Sequence, residues 1–176
     1  MNKFGDPGYK VHVAMGQFLS LLAYHLSSDT LIPFNVTTYT DRLQAYYTNL
    51  EYTLGNSTCC TSVDLSPLQS AISTFNSAAT AITDLAMSGV SDSSTVDLIN
   101  SKYRDFSRGF VSQGGLPDRE FYKHVVFAPG LDTGYAATTY PGITEAVEFA
   151  KNASLAEEWV GKTSRAIEVA AGILAV

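Results

Sequence analysis

The sequence predicts an all-α fold: an antiparallel, four-helix-bundle-like domain over residues 1–176, with one long ordered loop between the fourth helix and the C-terminal helices. Three observations predict it. Apolar residues recur at three- and four-residue spacing through most of the chain. The breaks between these runs are short and carry Pro, Gly or a capping residue. One stretch, "GGLPDREFYKHVVFAPGLDTGYAATTYPGI" at 114–143, instead crowds together glycines, prolines, aromatics and an Asp-Arg pair.

The first helix is expected from about Tyr9 to Ser27, where Val11, Ala14, Phe18, Leu21, Leu22 and His25 form a stripe that Met15, Leu19 and Leu26 widen. So broad a stripe predicts cover on two sides. Pro33 then breaks the pattern by restricting Ile32 and removing a donor. A second helix is expected from near Thr40 to Gly55-Asn56, with Leu43, Tyr47, Leu50 and Leu54 on one face.

The third helix has the clearest start. Ser66 is placed to cap, Pro67 sits at the first helical position, and Gln69 completes a capping box. Leu68, Ile72, Phe75, Ala79, Ile82 and Ala86 follow as a heptad-like seam, and Gly89 marks the end. Ser94 with Asp97 opens a fourth helix carrying Val96, Ile99, Tyr103, Phe106 and Phe110. After the loop, Pro141 begins a short helix, and Ser154 with Glu157 makes a capping box for the last one. That helix presents Trp159, Thr163, Ala166, Ile167, Ala170 and Leu174, with small residues Ala171, Gly172 and Ala175 opposite.

Composition narrows the function classes. Hydrophobic residues make up 45% and charged residues 16%, a globular balance. The formal net charge of -6, with no basic run, argues against nucleic-acid binding. No stretch approaches the roughly 20 apolar residues of a membrane span, so no membrane contact is expected of this segment. The start, "MNKFGDPGYK", lacks the apolar core of a signal peptide. Yet Asn35, Asn56 and Asn152 each head an N-x-Ser/Thr sequon and are candidate glycosylation sites. Sequons without a leader predict an excerpt of a longer secretory-pathway protein.

Cys59 and Cys60 are adjacent. A bridge between neighbours is disfavoured, because consecutive Cα atoms lie about 3.8 Å apart and disulfides favour about 4.4–6.8 Å. Two loop thiols are the favoured reading, with a vicinal disulfide or an interchain bridge as alternatives. His12, His25 and His124 show no metal-ligand spacing, and a lone His on an apolar face reads as a hydrogen-bonded core residue. No nucleophile elbow, P-loop or dinucleotide fingerprint is present. Glu157-Glu158 sits near a helix start, where negative charge complements the macrodipole. The residues by themselves describe a helical interaction module with no metal, cofactor or catalytic group of its own.

The opening stretch adds a resemblance. Leu116-Pro117-Asp118-Arg119, Phe121-Tyr122-Lys123-His124-Val125, Ala128-Pro129, Tyr135-Ala136 and Pro141-Gly142-Ile143 resemble, in order, the C-terminal dimerisation domain of the transferrin receptor and glutamate carboxypeptidase II family. "LIPF" at 31–34 and the Ala-rich last helix extend the likeness to essentially the whole chain.

The resemblance implies a homodimerising bundle, with Phe18, Leu22, Trp159, Ala170 and Leu174 as candidates for the dimer or domain interface. It implies two partners, a second copy and the peptidase domain of the parent chain. An active parent would hold two zinc ions in that peptidase domain and reside in a vacuolar, lumenal or extracellular compartment, secreted or membrane-anchored. It further implies that the segment after Ala128-Pro129 reaches a substrate pocket, where Tyr135 matches a family Tyr but Gly134 stands in place of the family Lys. Gly supplies no charge for a carboxylate, which weakens the expectation of an acidic C-terminal substrate residue. Asp118, Arg119 and His124 are expected to pin the loop, since a long loop must satisfy its backbone groups.

Three functions follow in order. The first is a homodimerisation module without a catalytic centre. The second is a fragment completing the pocket of a dizinc exopeptidase through residues 128–143. The third is a free-standing secreted helical-bundle binding or inhibitor protein, which would normally bring a leader and framework disulfides.

Overall fold

A computed structural model describes residues 3–132 and 134–176. Six helices dominate: α1 (Lys10–Ser28), α2 (Thr37–Gly55), α3 (Ser66–Met87), α4 (Ser93–Asp105), α5 (Pro141–Glu148) and α6 (Ala153–Leu174). The all-α class and the loop between the fourth and the C-terminal helices are as the sequence predicts.

The core forms where α3 meets α6, with α2, α5 and a 3₁₀ turn at Phe106–Phe110 packed around them. Leu68, Ile72, Phe75, Ala79 and Ile82 of α3 are buried, as are Trp159, Ile167, Ala170 and Leu174 of α6. Leu43, Tyr47, Leu50 and Leu54 give α2 its buried face. Gly142 lets α5 approach α6, because a Cβ there would collide with the Trp159 ring. Lys102 of α4 donates to the carbonyls of Ile173 and Ala175, at 3.0 and 2.5 Å, and so closes the C-terminus of α6.

The helix starts differ from expectation in a consistent way. Ser66 lies inside α3, and Asp64 just upstream accepts from both its amide and its hydroxyl. Gln69 pairs with Gln44 of α2 instead of closing a capping box. Asp92, not Ser94, caps α4 through the amides of Ser94 and Thr95. Asn152, not Ser154, caps α6 through the Leu155 amide. In each case a carboxylate or amide two residues ahead of the Ser is the acceptor used. α2 also begins at Thr37, three residues before the expected start.

Helix α1 departs most. Its apolar stripe was expected to be covered on two sides, yet none of its residues is buried. The link after it is fastened to α4 through Asn100, which accepts from the Ile32 amide and donates to the Thr30 carbonyl, both at 2.9 Å. The cysteine pair corrects the favoured two-thiol reading: Cys59 and Cys60 are joined as a vicinal disulfide, with Cys60 fully buried.

Candidate functional site

The long loop is ordered by main-chain bonds the sequence does not advertise. Strands β1 (Phe127–Pro129) and β2 (Ala137–Thr139) pair antiparallel, Phe127 opposite Thr139 and Pro129 opposite Ala137. Ahead of them, the Ser112 amide donates to the Lys123 carbonyl and the Leu116 amide to that of Tyr122. The hairpin turn closes with Gly130 donating to Ala136 and Gly134 to Gly130. Gly134 adopts φ 62°, a left-handed conformation that glycine takes without a Cβ penalty.

Arg119 locks this loop to the bundle. Its Nη1 donates to the Pro129 carbonyl at 2.6 Å, and its Nη2 to both Glu145 carboxylate oxygens at 2.5 and 2.7 Å. Asp118, expected to help pin the loop, is exposed in a left-handed turn at φ 57°, and the acceptor for Arg119 is Glu145 on α5. Burial pushes the Glu145 carboxyl up, and the Arg119 guanidinium opposes that push. His124 accepts from the amides of Val126 and Phe127 at Nδ1, 3.3 and 3.4 Å away. Burial holds its imidazole below the usual value. Tyr135 stands at the hairpin tip, 99% exposed.

A second constellation sits at the start of α1, where His12 was read as a core residue. His12 is half exposed, and its Nδ1 lies 2.5 Å from Asp6 Oδ2. Asp6 is buried and also accepts from the Val11 and His12 amides, so it caps the helix and orients the ring together. The His12 side chain, followed by its amide, holds the Asp6 carboxyl below its usual value. A carboxylate on one ring nitrogen fixes the tautomer and leaves Nε2 with its lone pair, the arrangement that prepares a histidine as a metal ligand. Among the described residues no cluster of three or more His, Cys, Asp or Glu could hold a metal ion, so His12 offers one ligand and not a site. The signal for it was "DPGYKVH", an Asp six residues before a His across a Pro-Gly turn.

The interface candidates separate cleanly. Phe18 and Leu22 are 61% and 44% exposed on α1. Trp159, Ala170 and Leu174 are buried in the chain's own core, which removes them from any surface a second copy could touch. Asn35, Asn56 and Asn152 are all exposed. Asn56 uses its amide on the Tyr52 carbonyl at 2.8 Å, whereas Asn35 accepts from the Thr37 hydroxyl of its own sequon. No helix among the described residues is long and apolar enough to cross a membrane.

Comparison with known proteins follows the same geometry. The chain is 51% identical to a probable glutamate carboxypeptidase of Arthroderma benhamiae, over 99% of this chain and 24% of that protein. It is 31% identical to a probable glutamate carboxypeptidase of Arabidopsis thaliana, over 99% of this chain and 26% of the relative. With the aminopeptidase NAALADL1 of Rattus norvegicus, identity is 25% over 97% of this chain and 23% of the relative. The chain thus spans about a quarter of the length of these relatives. The transferrin receptor-like dimerisation domain model matches residues 63–175, which take in α3 to α6 and the whole loop that Arg119 ties down, and the chain belongs to that family.

Proposed function

We propose that this chain is the self-association module of a glutamate-carboxypeptidase-like peptidase, docking on a second copy of itself and on its parent's peptidase domain, without a catalytic centre of its own. The exposed apolar face of α1 carries this reading. Val11, Phe18, Leu19, Leu21 and Leu22 are each between 44% and 66% exposed on a 19-residue helix with no buried residue. Isolated helices draw most of their stability from packing an amphipathic face, and burying each such side chain is worth about 1.5–3 kcal/mol from full exposure. A helix of this composition therefore calls for a partner surface. The match to a dimerisation domain over residues 63–175 supports self-association as the way to supply one.

Light scattering over a concentration series, with and without reductant, tests it. A dimer that persists on dilution in reductant supports the module. A monomer at every concentration overturns it, and leaves the peptidase domain as the sole cover for α1.

The second reading, completion of a dizinc exopeptidase's substrate pocket through residues 128–143, is favoured by the ordered hairpin that presents Tyr135 99% exposed at its tip. In an active parent two zinc ions would sit in the peptidase domain and supply Lewis acidity there, and the loop at 128–143 would face that pocket. Tyr135 would lend a hydroxyl to the substrate, and Gly134 adds no positive charge beside it. Tyr135→Phe in the parent should weaken substrate use by about 2–10-fold, the loss of one hydrogen bond. An unchanged kcat/KM in that variant would remove this reading. The secretory setting is part of the same proposal and rests on the three exposed sequons.

A further inference from the structure

A cleft of about 360 Å³ lies between the start of α2 and the loop, and neither Tyr135 nor His12 lines it. This volume falls at the small end of the range for small-molecule sites. Its walls are apolar and partly aromatic: Leu43 and Val126 are buried, Phe110 stacks with Tyr39 at 6.1 Å between ring centroids, and Phe127 packs on His124 at 4.2 Å.

The polar groups of the cleft are unevenly signed. Among the described residues no acidic side chain lines it, although the chain as a whole carries a net charge of -6. Arg42 lines it, and among the described residues this guanidinium has no ion-pair partner. His124 adds a second donor. The Val126 and Phe127 amides occupy its Nδ1 as donors, so the neutral ring carries its proton on Nε2. A guanidinium and an imidazole N–H beside apolar walls complement a ligand with an anionic head and a flat apolar body.

We propose that this cleft binds a small organic carboxylate with an aromatic body, its carboxylate paired with Arg42 and its ring held against Val126 and Phe127. His124 donates to the same head group. The loop wall stays in place because Arg119 and the hairpin hold it, so the site is formed before the ligand arrives. This inference does not depend on self-association.

Isothermal titration with 3-phenylpropanoate and with its neutral amide, at fixed ionic strength, tests it, with the mass of the chain followed by light scattering in the same buffer. The acid should bind saturably in the millimolar range and at least about ten-fold more tightly than the amide, the size of one charge-assisted pair. Arg42→Gln should abolish the preference for the acid while leaving the amide and the melting temperature unchanged. Phe127→Ala should weaken both ligands together. Absence of saturable binding by either probe overturns the proposal, as does equal affinity for the two. A preference for the acid that survives both Arg42→Gln and Arg42→Ala overturns it too.

Discussion

Arg119 and Glu145 meet across 26 residues of sequence in a two-pronged contact, with Nη2 within 2.7 Å of both carboxylate oxygens and both side chains nearly buried. This pair joins the loop to α5, and through Pro129 it also holds β1 in place. Removing one member of a buried pair leaves the other charge uncompensated, at a cost of about 3–5 kcal/mol.

Arg119→Ala should therefore lower stability by roughly 3 kcal/mol in urea unfolding and open the segment 130–136 to limited proteolysis. Without the guanidinium, burial of Glu145 is less opposed and its carboxyl rises further. A raised folded pKa means stability that is present at low pH and lost as pH rises. The gap between variant and wild type should accordingly narrow as pH falls toward carboxyl protonation. Equal protease resistance and equal unfolding midpoints would remove the clamp from the account.

Gly142→Ala should disturb α5 and α6 together. The added Cβ meets the Trp159 ring, and overpacking of this kind typically costs about 1–3 kcal/mol. Trp159 is the chain's only tryptophan, so its emission reports the displacement directly. An unshifted spectrum and an unchanged melting point would show that the helices part without cost.

The acid limb of stability should depend on Asp92. Hydrogen bonds from the side chains of Ser94 and Thr95 come first among the causes that hold its carboxyl at about 2, below the ordinary 3.8. A depressed folded pKa contributes stability above the unfolded value that is lost as pH falls through about 2. Asp92→Ala should lower the melting temperature near neutrality and flatten its decline between about pH 4 and pH 2. A decline as steep as that of the wild type would assign the acid limb to other carboxyls.

On α1, replacing Phe18 and Leu22 together by Ser should reduce the solution mass of the chain and leave its melting temperature equal to that of the wild type diluted to monomer. Both side chains are exposed, and neither belongs to the core. A melting temperature below that of the dilute, monomeric wild type would mean that α1 packs on its own chain.

The periodic core was legible because helical spacing is a local property. Leu68, Ile72, Phe75, Ala79 and Ile82 read as one seam in the sequence and are buried as one. Other features depend on distance in space and leave no local pattern. Nothing near Arg119 announces Glu145, and the short strands at 127–129 and 137–139 carry too few residues to show alternation. The caps were misread by two residues because Ser and an upstream Asp or Asn satisfy the same rule, and only geometry chooses between them. His12 was misread for a different reason: its position on an apolar stripe implied burial, and the stripe itself is uncovered. Tertiary packing decides whether such a stripe is core or surface.

The meeting of α3 with α6 also has a consequence for biosynthesis. The seam of α3 is complete by Met87, but the surface that covers it begins at Ala153. During translation Phe75 and Ile82 must wait, solvated, while everything between these helices is made, and the bundle cannot condense until α6 has emerged from the ribosome. Premature termination anywhere within α6 should leave a sticky nascent product that relies on chaperones, and a ribosome stalled there should hold the domain unfolded.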